Sequence, residues 1–210
     1  MSAEFLDEDA RKAFKEAVEA IEAASGVEVV VAMRQRSSTY FHANLVVGVI
    51  VAFAALAAML FVDYSFSLTA ILFDPFLAGA VAAGLVHWIP QAKRLLTRPS
   101  TRRRHVRTAA RATFVERGVH NTRDRSGLLV YISWLEQEIA LVADSGIEAA
   151  WTLDEVDAAG RDLTRAMREG GVAVAKALAA YGPKLALTIP RRETDTNELP
   201  DAIDEHEGHA

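Results

Sequence analysis

Two apolar runs in the middle of an otherwise charged chain limit its possible folds more than any other feature. Asn44 to Val62 is 19 residues without a charge. At about 1.5 Å per residue, a helix of that length reaches roughly 28 Å, close to the hydrocarbon thickness of a bilayer. It has no polar stripe of the kind that turns a soluble core helix toward water. It follows 43 mostly charged or amphipathic residues, whereas a secretory signal lies near the amino terminus. A spanning helix is expected.

The second run, roughly Tyr64 to Ile89, carries Ser67, Thr69, Asp74 and His87, and Asp74-Pro75 lies inside it. A carboxylate at membrane depth is costly unless protonated or paired, and proline suits the first turn of a helix. The run predicts either one spanning helix kinked near Pro75 or an irregular entry followed by a short helix to Trp88. Tyr64 and Trp88 suit the two interfaces. Asp74 is either hydrated near the far interface or an intramembrane proton or ion site.

The flanking charges set the expected orientation. Arg34 and Arg36 precede the first run. Lys93, Arg94, Arg98, Arg102, Arg103 and Arg104 follow the second, and the short connection has Asp63 and no base. Basic residues stay on the cytoplasmic side. The expectation is an inner-membrane protein with both termini cytoplasmic and the Asp63 turn outside.

The remaining sequence reads as one α/β domain divided by this hairpin. Ala10, Phe14, Ala17, Val18, Ile21 and Ala24 recur on one helical face between residues 7 and 24. Val27 to Met33 reads as a two-sided buried strand. After the hairpin, Thr101 to Gly118 forms a basic helix with Val106, Ala109, Ala110, Thr113, Phe114 and Val115 on its apolar side. Gly127 to Trp134 and Glu138 to Asp144 read as paired strands of a β-hairpin. Thr152 to Glu155 is a capping box opening a helix to about Glu169. A last helix, Val172 to Leu187, is disturbed at Gly182-Pro183.

Neither half holds enough apolar surface alone. One shared sheet covered by helices is expected, with the first two strands parallel and the later pair antiparallel. The predicted fold is a small α/β/α sandwich with a mixed sheet of three to four strands, interrupted by a two-helix transmembrane hairpin. Its divisions are 1–40, first part of the α/β domain; 41–92, the hairpin; 93–190, second part; and 191–210, an acidic tail. That tail, with seven acids and no base from Glu193 onward, is expected to be disordered.

This order, with its loop residues, resembles the TPM domain family. Arg125-Ser-Gly-Leu-Leu-Val-Tyr-Ile-Ser133 looks like the family's glycine-led strand. Glu138-Ile-Ala-Leu-Val-Ala-Asp-Ser-Gly-Ile-Glu148 resembles the following strand and its glycine turn. Leu153-Asp154 opens the next helix where the family tends to place an aspartate, and Asn197-Glu-Leu-Pro-Asp201 resembles the end of bacterial members with a membrane insertion. The resemblance implies a small α/β/α domain, a link to calcium binding and, in some members, acid phosphatase activity. The chain departs from the pattern at Glu136-Gln137-Glu138, where basic residues are expected, and at Ser145. Phosphatase activity is therefore not carried over.

Direct chemical signals are few. With no cysteine, disulfides, thiolate metal sites and cysteine nucleophiles are excluded. There is no Walker loop, no His-Glu-x-x-His and no Gly-x-Ser-x-Gly elbow. Glu205, His206, Glu207 and His209 form a weak transition-metal pattern of a kind that arises by chance in polar tails. The stronger candidate is Asp124, Asp144, Glu148 and Asp154, at strand ends and a helix start, where several oxygens would hold calcium or magnesium.

Lys93 to Arg125 holds eleven bases against two acids. Within it, Arg98 to Arg111 has the clustered arginine that suits nucleic acid, but that stretch has no interleaved aromatics and the block starts at the bilayer. Arg98, Arg102, Arg103 and Arg104 are therefore expected to contact anionic lipid headgroups, and no nucleic-acid partner is expected. The functional expectation is a membrane-anchored, non-enzymatic, cytoplasm-facing binding or assembly module that binds protein partners or a divalent cation. The alternative is a weak metal-assisted phosphatase.

Overall fold

The structure, a computed structural model, describes residues 5–38, 41–87, 89, 94, 97–148, 151–192, 197–199 and 203–206. In chain order the elements are α1 (Glu8–Ala24), β1 (Glu28–Arg34), α2 (Phe41–Phe61), α3 (Leu68–His87), α4 (Pro99–Glu116), β2 (Gly127–Ser133) and β3 (Glu138–Ala143). There follow α5 (Ser145–Glu148), α6 (Leu153–Ala166), α7 (Gly171–Ala179), α8 (Gly182–Thr188) and β4 (Asp204–His206). They fall into two units, Met1–Ser38 with Arg103–Ala210, and Thr39–Arg102.

The first unit is a mixed four-stranded sheet in the order β3-β2-β1-β4. β1 and β2 run parallel over seven residue pairs from Glu28–Gly127 to Arg34–Ser133, although the hairpin separates them in sequence. β2 and β3 are antiparallel, as expected for strands joined by a short turn. β2 is the central strand of the β1–β2–β3 triplet and is buried at every position, which accounts for its unbroken apolar run.

Strand alternation sends side chains to two helical layers. Val29, Val31, Met33, Leu128, Val130 and Ile132 face α1, α6 and α7. Val30, Ala32, Leu129 and Tyr131 face α4. The α/β/α sandwich and mixed sheet match the reading of the sequence. On α1 the buried face is Ala10, Phe14, Ala17, Val18 and Ile21, and Ala24 is exposed at the last turn. On α4 the buried face is Val106, Ala110, Thr113 and Phe114. Val115 is exposed, because a helix facing a sheet buries one stripe and Val115 lies off it. The expected disturbance at Gly182-Pro183 separates α7 from α8.

The segment after Glu193 differs from the expectation of a disordered tail. Among its described residues, 204–206 form β4, parallel to β1 with Ala32–Asp204, Met33–Glu205 and Arg34–His206 as pairs. Arginines from elsewhere in the unit pair with Asp204 and Glu205, which a composition argument does not count.

The capping box opening α6 is present, with Thr152 N–H and Oγ1 both donating to Glu155 at 2.9 Å. Lys184 Nζ also donates to Glu155 at 2.7 Å. These bonds, Lys184 first, hold the Glu155 carboxyl down at about 2 from its ordinary 4.5. A carboxylate lowered on folding adds stability above its unfolded pKa and loses it as pH falls through the folded value. Glu155→Gln is expected to be less stable than the parent chain at neutral pH, with the difference closing between pH 4.5 and 2. Denaturant titrations at several pH values check this; a difference that does not change with pH refutes it.

The second unit contains α2 and α3. Asn44–Phe61 and Leu68–Val86 are each long and apolar enough to cross a membrane, and only 11% of each span is buried in the protein. Of the two forms expected for the second run, a single helix is observed, passing through Pro75. Asp74 is exposed on it. The helices meet at glycines: a Cβ on Gly79 would lie 2.5 Å from the Gly48 carbonyl oxygen, and one on Gly48 would lie 2.9 Å from that of Gly79. Small residues allow such close backbone approach between apolar helices. The expected interfacial residue Trp88 and the flanking Lys93 lie outside the described residues.

Candidate functional site

Strand polarity places the four candidate carboxylates. β3 is antiparallel to β1 and β2, so Asp144 at its end lies at the amino end of the parallel pair, beside the residues that lead into β2. Asp144 N–H donates to the Gly127 carbonyl at 2.9 Å, and Gly146 N–H to that of Arg125 at 3.0 Å. Asp124 and Asp144 thus share one end of the sheet. It is the end opposite the carboxyl-end crevice where open α/β sheets bind ligands.

Their carboxylates have different surroundings. Asp124 pairs with Arg192 at 3.0 Å. Asp144 Oδ1 accepts from Ser145 N–H at 2.7 Å. Its Oδ2 is buried without a hydrogen bond, and the nearest cation is Arg125 Nη1 at 3.9 Å. Glu148 is exposed at the end of α5, and Asp154 is exposed in the first turn of α6. Among the described residues, no three histidine, aspartate or glutamate side chains gather as a metal would require. Glu207 and His209 lie outside the described residues.

The arginines of α4 fall into two groups. Arg103 pairs with Glu138 at 3.2 Å, and Arg107 with Asp157 at 2.7 Å. With Arg161 they line a cleft of about 40 Å³ at the β3 edge. Thr164 Oγ1 accepts from the outward Ile139 N–H at 2.9 Å nearby, satisfying a group that an edge strand would otherwise expose. Arg98 and Arg104 are exposed, and Arg102 donates to the Arg94 carbonyl at 2.9 Å. Arg103 is thus committed to an ion pair within the sheet unit, while Arg98 and Arg104 project to solvent.

The carboxyl end of β1 and β2 carries a polar cluster that pattern reading did not single out. Glu136, in the turn before β3, is 2% exposed. Its Oε1 accepts from Ser37 N–H at 3.0 Å, and its Oε2 from Ser133 Oγ. Ser37 Oγ donates to Ser133 Oγ at 2.7 Å and lies 3.3 Å from Tyr131 Oη. Burial raises the Tyr131 pKa, so this hydroxyl stays protonated at neutral pH. The cluster joins the β2–β3 turn to the segment leaving β1. The available sequence signal was a glutamate directly after Trp134-Leu135, in a turn too short to escape the core.

Beside this cluster, Arg34 Nη2 pairs with Asp204 at 2.6 Å, and the pair is 11% and 14% exposed. Arg117 forms a fork on the same carboxylate, with Nε and Nη2 each 2.7 Å from an oxygen. Arg11 grips both Glu205 oxygens, one of them at 3.0 Å. Three guanidiniums from three elements therefore converge on two acids of β4.

No family model matches the chain, and no curated protein matches it. Among solved structures, the chain is similar to the NMR structure of BA42 protein from the psychrophilic bacterium Bizionia argentinensis. The two are 16% identical with a TM-score of 0.57, over 97% of this chain and 99% of that one. This likeness shows a shared fold.

Proposed function

We propose that the chain is a membrane-anchored, TPM-like binding or assembly module whose α/β unit faces the cytoplasm and acts on a protein partner without catalysis. The observation that carries this reading is the seven-pair parallel ladder between β1 and β2. Strands on both sides of the apolar hairpin complete one sheet, so the hairpin is an anchor inserted into a folded unit. Its connection, residues 62–67, is too short for an external domain, and the bases lie outside the two spans. Both features support cytoplasmic ends at the inner membrane. Arg98, Arg102 and Arg104 are the headgroup contacts in this reading, joined by Arg103 when its ion pair opens.

Reporter fusions test the orientation: activity after Ala210 is expected on the cytoplasmic side and after Asp63 on the outer side. The opposite pattern overturns it. Crosslinking in the native membrane tests the module itself, which is expected to yield a defined protein partner.

The cation part of the proposal narrows to Asp144, whose buried Oδ2 lacks a hydrogen bond. Calorimetric titration with calcium, then magnesium, is expected to give heat that Asp144→Asn abolishes. Equal heats from both proteins, or none from either, refute it.

A further inference from the structure

β4 is a short strand held by many charges. It pairs with three of the seven residues of β1. Most of what fixes it is the convergence of Arg11, Arg34 and Arg117 on Asp204 and Glu205. These arginines come from α1, β1 and the turn after α4, so the receptor is built from parts of the sheet unit other than the segment it holds. Arg34 also donates to the Asp204 main-chain oxygen at 2.8 Å, reading backbone as well as charge. An edge strand beside a rim of forked cations is suited to receive an extended acidic peptide.

We propose that the outer edge of β1, rimmed by Arg11, Arg34 and Arg117, is the docking site for an extended acidic segment of a partner protein, and that residues 204–206 occupy it in cis until the partner displaces them. Charge complementarity selects the occupant: two adjacent acids entering parallel to β1 meet all three arginines, whereas a basic or neutral strand leaves the largely buried Arg34 without its carboxylate. A resident segment joined to the same chain competes at an effective concentration of order millimolar, so it masks the edge from weak ligands and yields to a longer acidic strand. This inference rests on the reading of the α/β unit as a binding module and names the chemistry of its partner.

The test uses the full chain in detergent micelles and a fluorescent peptide with the sequence of residues 198–207. The parent chain is expected to bind it weakly. The double variant Asp204→Lys, Glu205→Lys frees the edge and is expected to bind at least about tenfold more tightly. Adding Arg11→Glu and Arg117→Glu to that variant is expected to remove the gain, and a scrambled peptide is expected not to show it. Circular dichroism confirms folding, and Asp204→Asn, Glu205→Gln serves as a milder variant with the same readout. Equal affinity of the parent and both folded variants overturns the proposal, as does equal binding of the scrambled peptide. A parent chain that sediments as a dimer, and becomes monomeric in the lysine variant, also overturns it by making a second copy the occupant. A negative peptide result leaves the topology and crosslinking outcomes standing, so the two readings fail separately.

Discussion

Gly79→Leu is expected to separate the two apolar helices, whereas Gly84→Leu, one helical turn and a residue further along α3, leaves them packed. The contrast follows from what each new side chain meets. At Gly79 even a Cβ falls 2.5 Å from the Gly48 carbonyl oxygen and 3.0 Å from Ala52 Cβ. Neither neighbour can yield, since one is helical backbone and the other has no rotamer. At Gly84 nothing lies within 4 Å of the new Cβ. Overpacking a tight interface costs about 1–3 kcal/mol, and four added carbons place Gly79→Leu at or above the top of that range. SDS titration of the full chain in mixed micelles gives the measurement. Equal midpoints for the two variants would show that the glycine contact does not hold the pair.

Glu136→Ala is the substitution expected to cost the sheet unit most for its size. The carboxylate is 2% exposed and accepts from Ser37 N–H and Ser133 Oγ. Alanine leaves two donors beside a cavity that the surrounding strands cannot close. Each buried unsatisfied group costs about 1–3 kcal/mol, so a loss of about 3 kcal/mol is expected. Glu136→Gln keeps an acceptor oxygen in place and is expected to lose less than half as much. Urea unfolding followed by circular dichroism measures both. A loss for Glu136→Ala within about 0.5 kcal/mol, the range of ordinary surface changes, would sink the assignment of this cluster as the joint between β1 and the β2–β3 turn.

Much of the architecture was legible because it follows from short-range periodicity. The valine run of β1 marked two-sided burial, and the short turn between β2 and β3 dictated an antiparallel pair. Thr152 and Glu155 marked the start of α6 to the residue, because a capping box is local. Ala24 and Val115 were misplaced at the margins of helical stripes, where the angle to the partner layer decides burial. Asp124 before β2, Asp144 at the end of β3 and Asp154 at the start of α6 lie where the sequence places them, whereas Glu148 closes the short helix α5 where a glycine turn was expected. Which of them share an end depended on strand direction, and Asp124 was claimed by Arg192, 68 residues away.

Local pattern determined that this chain carries two spanning-length apolar helices inside an α/β unit, because hydrophobic length and alternation are properties of neighbouring residues. Tertiary structure decided the rest. It drew residues 204–206 into the sheet, since three arginines distant in sequence supply the countercharge to Asp204 and Glu205 that composition cannot reveal. It buried Glu136 against two serines, and it brought Gly48 against Gly79. Each is a contact between residues far apart in the chain, and only the folded arrangement brings those partners within range.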